Sequence, residues 1–259
     1  SHIYNHPRWG ADLMNLNAYQ IINNHFEDNG WGATTTSGDF TWRDGNMKIH
    51  DGAHNSVIER NIFEGGYGWG VDSYLSTANI YRYNLFINNT DRDVSPVGPG
   101  IGLEINSSLG GQVYNNTFYG NTIGLQVTYE DSQGVETSID LKNNIFFNNQ
   151  TQDYFKYPSD HSVITTSNNL INTNPQFVDV NNNNFRLLPN SPAINGASNI
   201  GLNADLNLTE VPQGNLPDIG AFEFKTSSIP TSLIQFKSDG TTTIPIDSEH
   251  NESTILVRF

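Results

Sequence analysis

The sequence predicts an all-β chain that winds as a right-handed parallel β-helix of about six or more coils, followed by a C-terminal strand extension. Three observations predict it: a short unit that repeats along the chain, variable spacing between its copies, and short segments in which apolar and polar residues alternate. These features indicate short strands stacked coil on coil. Helices would show apolar residues with a period of 3.6 instead.

The repeated unit is an asparagine, then any residue, then a phenylalanine or an isoleucine. Its copies begin at Asn24, Asn61, Asn84, Asn116, Asn144 and Asn169. Successive copies are 37, 23, 32, 28 and 25 residues apart, so the spacing has a minimum near 23 residues and varies above it. A coil of fixed length with insertions in its loops produces this pattern.

Alternating segments precede the repeated unit and supply the other strands of each coil. Such segments occupy residues 47–50, 57–60, 80–83, 101–105, 123–127 and 139–142. Alternation places one face of a strand in the core and the other outside. We therefore expect three strands per coil, asparagine amides that bond to the coils above and below, and phenylalanine or isoleucine side chains stacked in the core.

The composition excludes several classes of function. The chain has 259 residues and no cysteine, so it cannot hold a disulfide or a zinc–thiolate site. Its formal net charge is -15, which disfavours nucleic acid as a partner and argues mildly against a strongly polyanionic substrate. No apolar run approaches the roughly 20 residues that a membrane-spanning helix needs.

The C-terminal part of the sequence carries the most specific motifs. They are Asn-Pro-Gln-Phe-Val-Asp at 174–179, Ser-Pro-Ala-Ile-Asn at 191–195 and Pro-Asp-Ile-Gly-Ala-Phe-Glu-Phe at 217–224. Together with the repeats, over about residues 12–224, they resemble the last coils and cap of bacterial β-helix proteins in the pectate-lyase-like superfamily. The resemblance implies a polysaccharide partner and a secreted, periplasmic or cell-surface location, and it is specific for fold rather than for one activity.

One β-helix domain is expected at residues 1–224, followed by a short C-terminal β extension or cap at residues 225–259. Members of the superfamily usually begin with a capping helix and several coils that precede the ones matched here. In this sequence, by contrast, residues 3–19 are already strand-like. We therefore expect the chain to be the C-terminal part of a longer protein. Its open first coil is expected to associate with the missing N-terminal coils or with another chain. His2 is given no role.

In this superfamily the outward side chains of one sheet line a groove for an extended sugar chain. A polysaccharide lyase that cleaves by β-elimination is the leading expectation, because the resemblance is joined by a cluster of Arg43, Lys48 and His50. Lys48 or His50 would remove the C5 proton of a uronic acid. Arg43 or Arg82 would neutralise the carboxylate of that sugar.

Carboxylates on neighbouring coils support two further roles. In a lyase, Asp51, Asp72 and Glu104 are the candidate ligands of a Ca²⁺ ion. In a glycoside hydrolase, which is the alternative enzyme, Asp72 and Glu104 would serve as the acid and as the base or nucleophile. The acidic composition favours a neutral glycan for this second enzyme.

Aromatic and basic residues near these positions are the candidate sugar contacts. They are Trp42, His54, Tyr67, Trp69, Tyr74 and Arg82. A third alternative is non-catalytic, namely a glycan-binding or structural β-helix on the cell surface. Convergence of residues 42–54, residues 67–74 and Glu104 on one groove would favour an enzyme.

Overall fold

The computed structural model describes residues 1–35, 41–90, 100–129, 134, 136–156 and 161–225. Short strands make up nearly all of the regular structure in these ranges. In chain order they are β1 (His2–Tyr4), β2 (Ala11–Met14), β3 (Gln20–Ile22), β4 (His25–Glu27), β5 (Ala33–Thr35), β6 (Thr41–Arg43), β7 (Met47–His50), β8 (Val57–Glu59), β9 (Ile62–Glu64), β10 (Trp69–Tyr74), β11 (Ile80–Arg82), β12 (Leu85–Ile87), β13 (Ile101–Asn106), β14 (Gly111–Tyr114), β15 (Thr117–Tyr119), β16 (Ile123–Thr128), β17 (Ser138–Lys142), β18 (Ile145–Phe147), β19 (Gln152–Lys156), β20 (Val163–Ser167), β21 (Leu170–Ile171), β22 (Phe177–Asp179) and β23 (Asn184–Leu187). The predicted C-terminal extension, apart from Lys225, lies outside the described residues.

Three parallel sheets run along the stack. Sheet 1 has the order β1-β4-β9-β12-β15-β18-β21, sheet 2 the order β2-β7-β10-β13-β16-β19, and sheet 3 the order β3-β8-β11-β14-β17-β20. Because the chain passes through sheets 1, 2 and 3 in turn six times, it forms six coils, and the predicted parallel β-helix is confirmed. The antiparallel pair β5–β6 is an insertion between β4 and β7.

The repeated asparagines form a ladder at the turn between sheet 3 and sheet 1. The ladder runs through Asn24, Asn61, Asn84, Asn116, Asn144 and Asn169. Asn116 Oδ1 accepts hydrogen bonds from the backbone N–H and the Nδ2 of Asn84, at 2.9 and 3.0 Å. Asn116 Nδ2 also donates to the Tyr81 carbonyl at 2.9 Å. These bonds satisfy buried turn backbone, as the sequence predicts.

Phenylalanine rings of successive coils stack behind sheet 1. The stack consists of Phe26, Phe63, Phe86, Phe118 and Phe146, whose centroids lie 4.6–5.2 Å apart. None of these side chains is more than 2% exposed, and burying each one contributes roughly 1.5–3 kcal/mol. The stack and the ladder fix the register between coils. Residues at equal positions of successive coils therefore fall into straight outward rows.

A second asparagine ladder lies at the turn between sheet 1 and sheet 2. It runs through Asn29, Asn46, Asn89, Asn121 and Asn149. All of these residues except Asn46 lie three residues after the stacked phenylalanine of their coil. In the coil of Phe63 that position is Gly66, and a Cβ there would lie 3.0 Å from Asn46 Nδ2. The Asn46 amide thus occupies the place of the absent side chain. It accepts from Asn29 at 2.9 Å and donates to Asn89 at 3.3 Å.

The C-terminal motifs do not form further coils. After β21, residues 172–224, here called the strap, fold back along the outer face of sheet 1, and β22 pairs with β23 in an antiparallel hairpin. The Ala221 N–H donates to Thr117 Oγ1 at 3.0 Å, and Asn183 Nδ2 donates to Glu64 Oε1 at 2.8 Å. The expectation that this block supplies the last coils and a cap is therefore wrong, because its apolar side chains instead cover one sheet.

Buried carboxylates organise the strap. Asp205 accepts the backbone N–H groups of Thr209 at 2.7 Å and of Glu223 at 2.8 Å. Asp218 accepts from the Asn195 N–H at 2.7 Å, and Glu223 accepts in turn from the Asp218 N–H at 3.1 Å. Burial raises the pKa of Glu223 to about 7. The acidic residues of the C-terminal motifs thus hold irregular backbone that no sheet satisfies.

Candidate active site on the second sheet

One outward row of sheet 2 carries most of the predicted catalytic residues. Because the strands pair in register, Lys48 in β7, Asp72 in β10 and Glu104 in β13 occupy the same position of consecutive coils. Asp12 in β2 precedes them and Gln126 in β16 follows them. We call these five residues the central row. Neighbouring strands lie about 4.8 Å apart, so the row is the right length to contact one extended oligosaccharide.

Lys48 and Asp72 form an ion pair in the middle of the row. Lys48 Nζ lies 3.4 Å from Asp72 Oδ2, and the Asp72 side chain is only 13% exposed. Burial raises the pKa of Asp72, and the nearby Lys48 ammonium opposes that rise. An ammonium group held by a carboxylate has no lone pair with which to take a proton, so this pairing does not favour Lys48 as a base.

Glu104 is held by three hydrogen bonds. Its Oε2 accepts from Trp69 Nε1 at 2.6 Å, and its Oε1 accepts from Gln126 Nε2 at 3.2 Å and from Thr128 Oγ1 at 3.1 Å. Burial, together with the neighbouring Asp72 carboxylate, raises the pKa of Glu104 to about 7. Near neutral pH, Glu104 is therefore present partly as the acid, in the form that a general acid requires.

Two tryptophans border the row. The rings of Trp9 and Trp69 have centroids 5.9 Å apart and planes at 35°. Lys48 Nζ lies 5.5 Å from the centroid of the Trp9 ring, within the range of a cation–π contact. The sequence predicts Trp69 as a sugar contact, and the structure places it beside Glu104 at the row. Trp69 is only 8% exposed, so of the two rings it is the partly exposed Trp9 that can offer an aromatic face to a sugar ring.

His50 lies two residues after Lys48 on the same face of β7. Its Nε2 lies 2.7 Å from Asp12 Oδ1 and its Nδ1 lies 2.8 Å from Asp51 Oδ2. Both ring nitrogens are thus engaged, which leaves neither one directed at a substrate proton. Tyr74, a predicted sugar contact, is the register partner of His50 on the next coil and extends this face.

None of the other described sugar-contact candidates, Arg82, His54 and Tyr67, lies in a strand of sheet 2. Arg82 is in β11 of sheet 3, where its Nε donates to Glu59 Oε2 at 2.6 Å. His54 follows β7 at an isolated bridge and hydrogen-bonds the Gly52 carbonyl. Tyr67 lies in the turn before β10. Arg82 is therefore on a different sheet from Lys48, and the structure does not bring it to a carboxylate bound at the row.

Two candidates fall on side chains outside the described residues. Trp42 and Arg43 belong to β6, whose backbone pairs with β5 in the inserted hairpin. Their predicted contacts with a substrate stay predictions.

The candidate calcium ligands do not converge. Asp51 faces His50, Asp72 faces Lys48, and Glu104 accepts three donors. Within the described ranges, no group of closely spaced metal-ligating side chains includes Asp51, Asp72 or Glu104. These residues do not fit a calcium cage, whose ligands must all turn oxygen atoms towards one ion. Calcium binding stays a prediction without a site.

Sequence reasoning missed two members of this surface, Trp9 and Asp12. Asp12 precedes Lys48 by 36 residues, close to the 37 residues that separate the first two copies of the repeated unit. Applying that interval to the Lys48 strand would have located the strand that contains Asp12, one residue out of register. Trp9 precedes β2 in an irregular segment, where neither spacing nor alternation marks it.

The comparisons with known proteins agree with this architecture. Residues 1–136 match the family described as a right handed beta helix region. Among solved structures, the periplasmic alginate epimerase AlgG matches with a TM-score of 0.53 and 13% identity, over 66% of this chain and 38% of that chain. Pectate lyase Pel9A matches with a TM-score of 0.51 and 16% identity, over 86% of this chain and 64% of that chain. Comparison with curated proteins gave no match.

The chain thus spans less than two thirds of the length of either solved structure. At identities of 13% and 16%, the similarity establishes the fold and not the activity. In the part of the chain that is described, no helix has the length and hydropathy required to cross a membrane. The family match covers more than half of the 259 residues and agrees with the three-sheet coil. The chain therefore belongs to the right-handed β-helix family.

Proposed function

We propose that this chain is a secreted, periplasmic or cell-surface enzyme that cleaves an extended polysaccharide lying along the central row. The observation that carries the proposal is the position of Asp72 and Glu104, two buried carboxylates that are register partners on adjacent coils. Similarity in fold to an alginate epimerase and a pectate lyase supports a carbohydrate substrate.

Hydrolysis of a glycosidic bond is the reaction that this pair supports best. Glu104, with a pKa of about 7, would donate its proton to the leaving oxygen as the bond to the anomeric carbon breaks. Asp72, as a carboxylate, would take a proton from the attacking water or attack the anomeric carbon itself. Lys48 supports either role of Asp72, because its ammonium stabilises the charged carboxylate.

The surroundings favour a neutral glycan over a polyuronate. The central row contains three carboxyl groups and one ammonium group. A uronate lying across it would meet like charges at Asp12 and Asp72, and at Glu104 whenever that group is ionised. A neutral sugar meets no such repulsion, and the partly exposed aromatic face of Trp9 would pack against it, backed by the buried Trp69 ring.

β-Elimination of a uronic acid is the second candidate. It is favoured by the location of Lys48 on the row and by the fold shared with a pectate lyase. In this reaction Lys48 would first have to lose the proton that its pairing with Asp72 holds in place. A cation would also have to neutralise the sugar carboxylate, a role for which the sequence offers Arg43 or Arg82, the latter on sheet 3.

The test is an incubation of the full chain with a panel of neutral and uronic-acid polysaccharides, with and without Ca²⁺. New reducing ends without absorbance at 235 nm are expected on a neutral glycan, and proton NMR of the first product would then distinguish the two roles of Asp72. A rise at 235 nm would replace hydrolysis by elimination. Binding of glycans without cleavage in any arm would overturn the enzyme and leave a glycan-binding β-helix.

A further inference from the structure

We propose that His2, to which the sequence assigns no role, forms with His25 and Glu27 a binding site for a divalent transition-metal ion, with zinc as the preferred ion. The three residues lie in the first two strands of sheet 1, β1 and β4, and so on a different sheet from the central row. One ligand atom of each lies within 4.8 Å of those of the other two, the sole group of this kind within the described ranges.

Strand pairing brings these side chains together. His2 and His25 are register partners, and Glu27 follows His25 by two residues, so all three point to the same face. The two imidazole rings stack with centroids 4.7 Å apart, and His2 Nε2 lies 2.7 Å from Glu27 Oε2. Ligand atoms around a tetrahedral zinc ion lie roughly 3.4 Å apart, because each is about 2.0–2.2 Å from the metal. Small side-chain rotations would therefore complete the site.

Glu64 lies behind the proposed ligands on the next coil. Its Oε2 lies 3.0 Å from His25 Nε2, and its Oε1 accepts a hydrogen bond from Asn183 Nδ2 at 2.8 Å. A carboxylate that contacts a ligating imidazole fixes the orientation of the ring and strengthens metal binding. Metal binding requires both imidazoles to be neutral, and a divalent ion would then balance the charges of the Glu27 and Glu64 carboxylates.

The donor set identifies the class of ion. Two imidazoles and one carboxylate suit zinc and its neighbours among the transition metals, whereas Ca²⁺ and Mg²⁺ prefer oxygen ligands alone. The side chains of His2 and Glu27 are 48% and 35% exposed, so an ion reaches them from solvent and water can fill a fourth position. Such an ion would join β1 to β4 and strengthen the first coil.

The test is calorimetric titration of the full chain with zinc chloride. One ion per chain is expected, with an affinity reduced by about 100-fold or more in His25→Ala and by about 10- to 100-fold in Glu64→Gln. His161→Ala is the matched control and is expected to bind zinc unchanged. With Co²⁺ in place of zinc, visible absorption bands are expected in the parent chain and not in His25→Ala.

Absence of zinc binding by the parent chain would overturn the proposal, as would binding that His25→Ala and Glu27→Gln leave unchanged. Circular dichroism of each variant establishes that the coil is intact. If His25→Ala disturbs the fold, His2→Ala and Glu27→Gln serve as second variants, because these two side chains are partly exposed and contribute less to packing. Neither variant touches the central row, so the result is independent of the proposed polysaccharide cleavage.

Discussion

Trp69 and Glu104 are joined across two coils by a 2.6 Å hydrogen bond from the indole Nε1 to Oε2, although 35 residues separate them in the chain. The bond orients the Glu104 carboxyl group beside Asp72 and lowers the pKa of Glu104 against the larger effect of burial. The acceptor, Glu104, is the residue that we propose as the proton donor of the reaction. The hydrogen bond therefore affects both the position of this carboxyl group in the row and the pH at which it loses its proton.

The first prediction concerns Glu104→Gln. The amide keeps the volume and an acceptor oxygen but cannot donate the required proton, so the rate is expected to fall by about 100- to 10,000-fold. The measurement is the initial rate of reducing-end formation on the glycan that the parent chain cleaves. Glu210→Gln, at an exposed position outside the row, is the matched control and should retain the parent rate.

The second prediction concerns the alkaline limb of the pH profile. The active form of Glu104 is the protonated one, so kcat/KM should fall as the pH rises through about 7. Trp69→Phe removes a hydrogen bond that lowers this pKa, and the limb should therefore move to higher pH. A limb that stays in place in Trp69→Phe would show that another group titrates there.

The third prediction concerns Lys48→Met. The Lys48 ammonium lowers the pKa of Asp72, so its removal should raise that pKa and move the acidic limb of the profile to higher pH. Lys48→Arg keeps the charge and should keep the acidic limb near its parent position. If Lys48 were the base of an elimination instead, both variants would lose activity at every pH.

The fourth prediction concerns the asparagine ladder. Asn116→Ala removes the acceptor of two hydrogen bonds from Asn84 and leaves buried backbone without a partner. The free energy of unfolding should fall by about 2–4 kcal/mol, measured by urea denaturation. Asn190→Ala, at an exposed turn, is the control and should stay within about 0.5 kcal/mol of the parent. Equal effects of the two substitutions would contradict a structural role for the ladder.

The fifth prediction concerns the strap. Burial in the folded state raises the pKa of Glu223 to about 7. The folded protein therefore binds a proton at Glu223 more tightly than the unfolded chain does. This contribution to stability is present in full at acidic pH and is lost as the pH rises through about 7. The urea midpoint should therefore decrease between pH 5.5 and pH 8.5, and the decrease should be smaller in Glu223→Gln. An equal slope in both proteins would assign the dependence to other groups.

The sequence predicts the coil correctly because one residue type performs the same task in every turn. An asparagine at the ladder position must satisfy the backbone of the adjacent coil, so the pattern at Asn61, Asn84 and Asn116 reports the stacking directly. Asn46 escapes prediction because it reaches the second ladder from a different place in the coil, after the inserted hairpin. Spacing shows only those ladder members that occupy equivalent positions in the chain.

The candidate site is less accessible from the sequence. Alternation within β7, β10 and β13 identifies Lys48, Asp72 and Glu104 as outward residues, and the structure confirms that they share one row. Arg82 is among the predicted partners and yet lies on sheet 3, because its strand directly precedes the repeated unit at Asn84, whereas the strand of Lys48 lies one strand earlier in its coil. The fold of the strap was not predictable, because its contacts with sheet 1 join residues about a hundred positions apart.

The strap also changes how this stack of coils is expected to come apart. In a solenoid each repeat contacts only its neighbours, so the stack can fray from either end one repeat at a time. Here Asn183 is bonded to Glu64 in β9, the third strand of sheet 1, and Gly220 is bonded to the Asn143 carbonyl just before β18, the sixth strand. A single segment therefore spans several coils, and losing one coil means losing contacts in the others. We therefore expect the coils that the strap joins to unfold together in one cooperative step and not one after another.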